Sequence, residues 1–319
     1  MQEQHLDRRE EPTRQRAHVY ASLSQVIRSS AHARRIKRSA IRTVERIRDF
    51  GYRIPVSALR PAAPQAAPVV ALTSFPARIS RVALVIESIQ RQTVRPQRIV
   101  LVLASSQFPD GRLPWSLRLQ LSRPNVELLW VEEDTRSYKK LAPVRSRYPD
   151  DTVITIDDDV VYRRSLLADL TAAAARWPAS IIGNRGWELG LDAGKLEPYA
   201  SAVPAGPDSP QERVLLTGVG GILYPPEAFP ADLLSDPVAQ QICPTADDIW
   251  FWAIARTMGI QTICLGKDDS KVYREIVALK SGPSLQEINN GLGHNDGQIM
   301  GAIRHFNLES VIGLEVKEN

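Results

Sequence analysis

Between residues 69 and 177, short apolar runs rich in β-branched residues alternate four times with stretches of helical period. The runs fall at 69–74, 98–104, 126–131 and 152–156, and the helical stretches at 80–92, 115–121, 138–148 and 164–177. Apolar runs of this length suit pleated packing. Repeated strand–helix units build a mainly parallel sheet covered by helices, so the expected class is α/β. The second half is less regular: strands are expected at 180–185, 214–224 and 261–265, and helices at 245–258 and 296–306. In open sheets of this kind ligands bind beyond the carboxyl ends of the strands.

The fourth run ends in three consecutive carboxylates, Asp157, Asp158 and Asp159. Like charges so close raise one another's pKa, so something must compensate them. Hard oxygen donors suit Mg2+ or Mn2+. If the strand alternation continues, Asp157 and Asp159 share one side and Asp158 faces the other. The plainer alternative is a solvated acidic turn.

Charge divides the chain. The net charge is +4, but residues 1–60 hold 14 Lys+Arg against 6 Asp+Glu, and the remainder 26 against 30. The basic character therefore belongs to an N-terminal arm (1–54), partly helical by pattern, and not to the body. A Pro/Ala-rich linker (55–68) separates the arm from a domain at 69–319. A basic amphipathic helix suits an anionic membrane surface; it equally suits packing on the body or on a second copy. Only Tyr20, Phe50 and Tyr52 offer stacking in the arm, and the body is mildly acidic, so nucleic acid is not an expected partner. The chain holds two cysteines, Cys243 and Cys264, without metal-site spacing. No stretch nears the roughly 18–20 apolar residues of a membrane span. A cytoplasmic location is expected, peripheral at the inner membrane face if the arm binds lipid.

Four blocks in order, Ala71–Arg78, Asp157–Asp159, Thr217–Gly221 and Ala246–Asp248, resemble the nucleotide-sugar glycosyltransferases of the GT-A fold. The pattern is most similar to exostosin-like and bacterial polysaccharide-assembly transferases, and it covers about residues 69–306. The resemblance implies a nucleoside diphosphate sugar donor, a UDP-sugar favoured, and a glycan or lipid-linked hydroxyl acceptor. It implies Mn2+ or Mg2+ held by Asp159 and Asp157, with His294 as a further ligand. Thr73 and Arg78 then lie at the nucleotide; Lys139 and Lys140 reach the nucleotide or diphosphate, or else form a solvated helix face. Asp157 then also meets the ribose or an ordered water, and Asp158 either helps the ribose or the metal or simply faces solvent.

Gly220 and Gly221, with Gly218, interrupt an apolar strand, beside the sugar by resemblance or packed on another strand by ordinary sheet chemistry. Asp247 and Asp248 open a helix; adjacent helical positions differ by about 100°, so one is expected to enter the site, and the motif selects Asp248 as base or steadying group. Thr245 is the expected N-cap. Trp250 and Trp252 are candidates for a sugar platform or the core, and Asp296 for a helix cap. Two other readings stay open. A haloacid-dehalogenase-like phosphohydrolase would use the acidic triplet with Lys267, Asp268 and Asp269. A non-catalytic nucleotide-sugar-binding protein would keep the fold without turnover.

Overall fold

The computed structural model describes residues 67–234, 236–276 and 294–315. The basic arm, all but the last two residues of the linker, and Gly291 to Gly293 lie outside the described residues.

The first half follows the predicted alternation: β1 (Val69–Thr73), α1 (Val82–Gln90), β2 (Arg98–Ala104), α2 (Trp115–Leu121), β3 (Val126–Val131), α3 (Ala142–Arg147), β4 (Val153–Thr155), β5 (Val160–Tyr162) and α4 (Leu166–Arg176). Next come β6 (Ile181–Gly183), β7 (Gly186–Glu188), β8 (Leu191–Asp192), β9 (Lys195–Leu196), β10 (Val203–Pro204), β11 (Val214–Leu216) and β12 (Ile222–Tyr224). The chain continues through α5 (Ala231–Leu234), α6 (Val238–Ile242), α7 (Asp247–Thr257), β13 (Thr262–Cys264), α8 (Asp269–Val272) and β14 (Tyr273–Glu275), then α9 (His294–His305) and α10 (Glu309–Ile312). Among the described residues no helix is long and apolar enough to cross a membrane.

Seven strands form one sheet in the order β13-β6-β12-β4-β1-β2-β3. It is mixed and mainly parallel: β1 runs parallel to β2 and β4, and only β12 opposes its neighbours β4 and β6. Both faces are covered, which is why the central strands read as near-continuous apolar runs. Period-two alternation sorts β1 between two cores. Val69 and Ala71 join Trp250, Phe251 and Ile254 of α7 and Ile299 and Ile303 of α9. Val70 and Leu72 join Val85, Ile86 and Ile89 of α1 and Leu166 and Leu170 of α4. Each fully buried side chain of this size contributes about 1.5–3 kcal/mol, so α1, α4 and α7 are anchored and hold their ends in place.

Three departures from the sequence reading shape the site. The helix expected over 138–148 is broken into a 3-10 turn, Arg136–Lys140, and α3. Pro143 lies in the first turn of α3, where its missing N–H costs nothing; in a continuous helix it would lose a bond to residue 139. The strand expected over 214–224 is split, with β11 pairing with β7 while β12 enters the main sheet. Between them Gly218–Gly220 forms a 3-10 turn, and Gly221, at φ +76°, makes the exit that a side chain would resist. The fourth strand stops at Thr155, so the three acids occupy the loop to β5, which pairs with β14.

Candidate active site

The acid loop is held from below. The amide of Asp157 donates to the hydroxyl of buried Tyr162 at 2.9 Å. Asp158 turns inward and accepts Ser74 Oγ at 2.6 Å and Arg78 Nη1 at 3.0 Å. Arg78 is delivered by a turn after β1: its amide bonds to Phe75 O at 3.0 Å, with Pro76 in the second position that proline pre-sets. The same Nη1 lies 2.9 Å from Asp159 Oδ2. Strict alternation therefore fails, because the acids lie past the strand: Asp158 and Asp159 share Arg78, and Asp157 faces elsewhere.

Asp157 faces Lys140. The Lys140 ammonium is buried, 3.1 Å from Asp157 Oδ1 and 3.3 Å from Asp247 Oδ2. The second contact is an ion pair whose geometry falls short of a hydrogen bond. Asp248, next on α7, accepts the Gly218 amide on Oδ2 at 3.0 Å. Its Oδ1 is shut off from solvent and takes no hydrogen bond among the described residues. A Cβ on Gly218 would stand 2.8 Å from Lys140 Nζ, 3.1 Å from Asp157 Oδ1 and 3.5 Å from Asp248 Oδ1. One bare backbone position thus joins the end of the fourth strand to the head of α7.

Electrostatics follow from crowding. Burial first, then Asp157, raises Asp159 to about 6, with Arg78 pulling the other way. Burial also raises Asp158, against Ser74 and Arg78. Burial would lower Lys140, but Asp157, Asp247 and Asp248 together outweigh it and hold the ammonium well above its ordinary value. Asp248 is pushed up to about 7, by burial and then by Asp247.

Several expectations change. Both Asp247 and Asp248 join the charged cluster, not Asp248 alone, because Lys140 is long enough to reach the deeper acid. Lys139 is neither solvated nor at the acids: it is buried and paired with Asp134. Thr73 spends its hydroxyl on Val102 O at 2.8 Å. Gly220 packs against the backbone of Arg185 and Gly221 against Leu166, so Gly218 is the glycine that faces the carboxylates. Thr245 does not cap α7; its amide bonds to Gln298 Oε1 at 3.1 Å. Trp250 and Trp252 are core, Trp250 packing on His305 and Phe306. Asp296 accepts the Tyr199 amide at 2.6 Å. Arg185 bonds to Thr217 Oγ1 at 2.9 Å and pairs with Asp269 at 3.1 Å. Ser74 and Tyr162 were missed as supports of the acid loop; only the place of Ser74 beside Arg78 in the first motif hinted at a role.

The phosphohydrolase reading needs Lys267 and the acids after it at the triplet. Instead Lys267 pairs with Asp169 at 2.7 Å, Asp268 caps a short helix through Ser270, and Asp269 holds Arg185.

Among the described residues no three His, Cys, Asp or Glu side chains converge as a metal cage, and His294 is exposed at the head of α9. The donor set still fits a hard cation. Five carboxylates (157, 158, 159, 247 and 248) face two cations, Arg78 and Lys140, which leaves negative charge in excess. Mg2+ and similar ions are commonly held by one or two carboxylates, with water and substrate phosphate completing the shell; of the expected pair, Asp157 faces Lys140 and Asp159 faces Arg78.

No family model matches the chain, and no curated protein matches it in sequence. The fold is similar to that of S. aureus TarS in complex with UDP-GlcNAc, at 12% identity and TM-score 0.48 over 79% of this chain and 68% of that one. The mannosyltransferase PcManGT from Pyrobaculum calidifontis, in complex with GDP-Man and Mn2+, gives 15% identity and TM-score 0.41 over 86% and 85%. UDP-glucose pyrophosphorylase from Acinetobacter baumannii gives 11% and 0.40 over 77% and 94%. These are likenesses of sheet and helix arrangement only.

Proposed function

We propose that the protein is a metal-dependent glycosyltransferase. It would move a sugar from a nucleoside diphosphate sugar, a UDP-sugar first among candidates, to a hydroxyl of a glycan or lipid-linked acceptor. One observation carries this reading: Asp157, Lys140 and Asp248 meet around Gly218. A group that can hold a cation at a diphosphate and a group that can take a proton thereby share one cluster.

In such a transfer the bond from the anomeric carbon to the diphosphate breaks and a bond to the acceptor oxygen forms. Charge grows on the leaving diphosphate. Asp157 and Asp159 would hold Mn2+ or Mg2+, which supplies Lewis-acid stabilisation of that charge when bound. Arg78, beside half-exposed Phe75, lies at the end of β1, where a nucleotide would be met. Lys140 sits between Asp157 and Asp247 as their shared counter-ion. Asp248 is the base: the Gly218 amide fixes one oxygen, and the other has no hydrogen-bond partner. A carboxylate raised to about 7 is matched to accepting a hydroxyl proton near neutral pH. In a retaining outcome it would steady the sugar instead.

The test is a panel of nucleoside diphosphate sugars with Mn2+, read by nucleoside diphosphate release and by calorimetry. Expected are metal-dependent binding of one nucleotide class, loss of that binding in Asp159→Asn, and an Asp248→Asn enzyme that binds but turns over about 10²–10⁴-fold more slowly. Binding indifferent to chelator and to Asp159→Asn would overturn the metal assignment. Pyrophosphate release from a nucleoside triphosphate and a sugar phosphate would move the protein to nucleotidyl transfer. Tight binding without turnover of any donor would mark the non-catalytic alternative.

A further inference from the structure

Arg78 uses a single nitrogen to bridge two carboxylates that differ in what else holds them. Nη1 lies 3.0 Å from Asp158 Oδ1 and 2.9 Å from Asp159 Oδ2. Asp158 is buried and has Ser74 Oγ at 2.6 Å, so it stays anchored whatever Arg78 does. The Asp159 side chain is 37% exposed, and Arg78 is its ion-pair partner. The Arg78 side chain is itself 26% exposed, and its guanidinium carbon stands 5.5 Å from the ring centre of Phe75, which is 40% exposed. Arg78 therefore reaches an inner acid, an outer acid and open solvent from one position at the end of β1.

We propose that Arg78 is an exchangeable counter-ion: it competes with the divalent cation for Asp159 and transfers to the donor's diphosphate when nucleotide and cation arrive together. This rests on the metal-dependent transferase reading. A fixed positive charge on one oxygen of Asp159 opposes a divalent ion on the other, because like charges at such distances repel strongly in a partly buried site. A guanidinium is built for phosphate oxygens, which it meets with two parallel N–H groups. The diphosphate thus gives Arg78 another partner and frees Asp159 in the same step. Metal loading becomes coupled to nucleotide, and by linkage nucleotide binding is coupled equally to metal. If Arg78 merely held Asp159 in place, its loss would weaken metal binding; the exchange role requires the opposite sign.

The experiment uses the full chain as wild type, Arg78→Met and Arg78→Lys, each checked by thermal melt. Free Mn2+ is titrated by electron paramagnetic resonance without and with UDP, and UDP binding is measured by calorimetry at saturating Mn2+. Expected for Arg78→Met are Mn2+ alone bound about tenfold more tightly, UDP bound about tenfold more weakly, and a smaller effect of UDP on Mn2+ affinity. Arg78→Lys should move the same way by a smaller factor, and it serves as the test if the methionine variant does not fold. Unchanged or weaker Mn2+ binding in the folded variants overturns the exchange. Failure of the parent reading looks different: wild-type Mn2+ binding would then be absent with UDP present, or untouched by Asp159→Asn.

Discussion

The amide of Gly218 donates to Asp248 Oδ2 at 3.0 Å, across a backbone turn that leaves no room for a side chain. The φ of Gly218 is not in the left-handed region, so alanine meets no backbone strain there; its methyl would instead lie 2.8 Å from Lys140 Nζ and 3.1 Å from Asp157 Oδ1. Gly218→Ala is expected to fold with a loss of about 1–2 kcal/mol. It should lose about 100-fold in turnover by displacing the charged groups. Thermal melts and donor turnover measure both, and a variant with wild-type turnover would show that the charged cluster tolerates the methyl.

Lys140 is the buried link between Asp157 and Asp247. Removing one partner of a buried ion pair leaves charge uncompensated and typically costs about 3–5 kcal/mol. Lys140→Met should show a loss of this size in urea unfolding. Adding Asp247→Asn should recover part of it, since coupled neighbours are not additive. Strict additivity of the two changes would count against the link.

Asp248, raised to about 7 by burial and then by Asp247, titrates near 3.9 when unfolded. Between these values the folded chain binds more protons, so this group's contribution to stability is fully present below about pH 4 and is lost as pH rises through 7. Asp248→Asn removes the titration, and its unfolding free energy should fall less than wild type's from pH 5 to 7, with chelator present. Parallel curves would assign Asp248 an ordinary carboxylate pKa.

Cys243 and Cys264 are buried free thiols; burial raises both, Cys243 to about 12. The thiolate is the reactive form. Neither should react with a disulfide reagent at pH 8 in the folded protein, and both should react in denaturant. A rapid one-thiol reaction before unfolding would mean that one of them is accessible.

Local pattern carried the reading furthest where each element's periodicity is its own. From β1 to α4 the elements lie close to their expected places, because β-branched runs and amphipathic stretches decide strand or helix before any long-range contact forms. Breaks were harder. The split of 214–224 depends on which sheet each half joins. Lys139 and Lys140 look alike in sequence, and only the 3-10 turn points one at Asp134 and the other at the acids. Trp250 and Trp252 have the composition of a sugar platform, but α7 turns both into the core.

The sequence by itself determined the α/β class, the strand that leads into three carboxylates and the helix that opens with two more, because these are properties of neighbouring residues. Only the tertiary structure decided what compensates the acids, which glycine they surround and that Asp247 joins Asp248. Those depend on side chains up to about a hundred positions apart meeting within 3–4 Å, and no local periodicity encodes such a meeting.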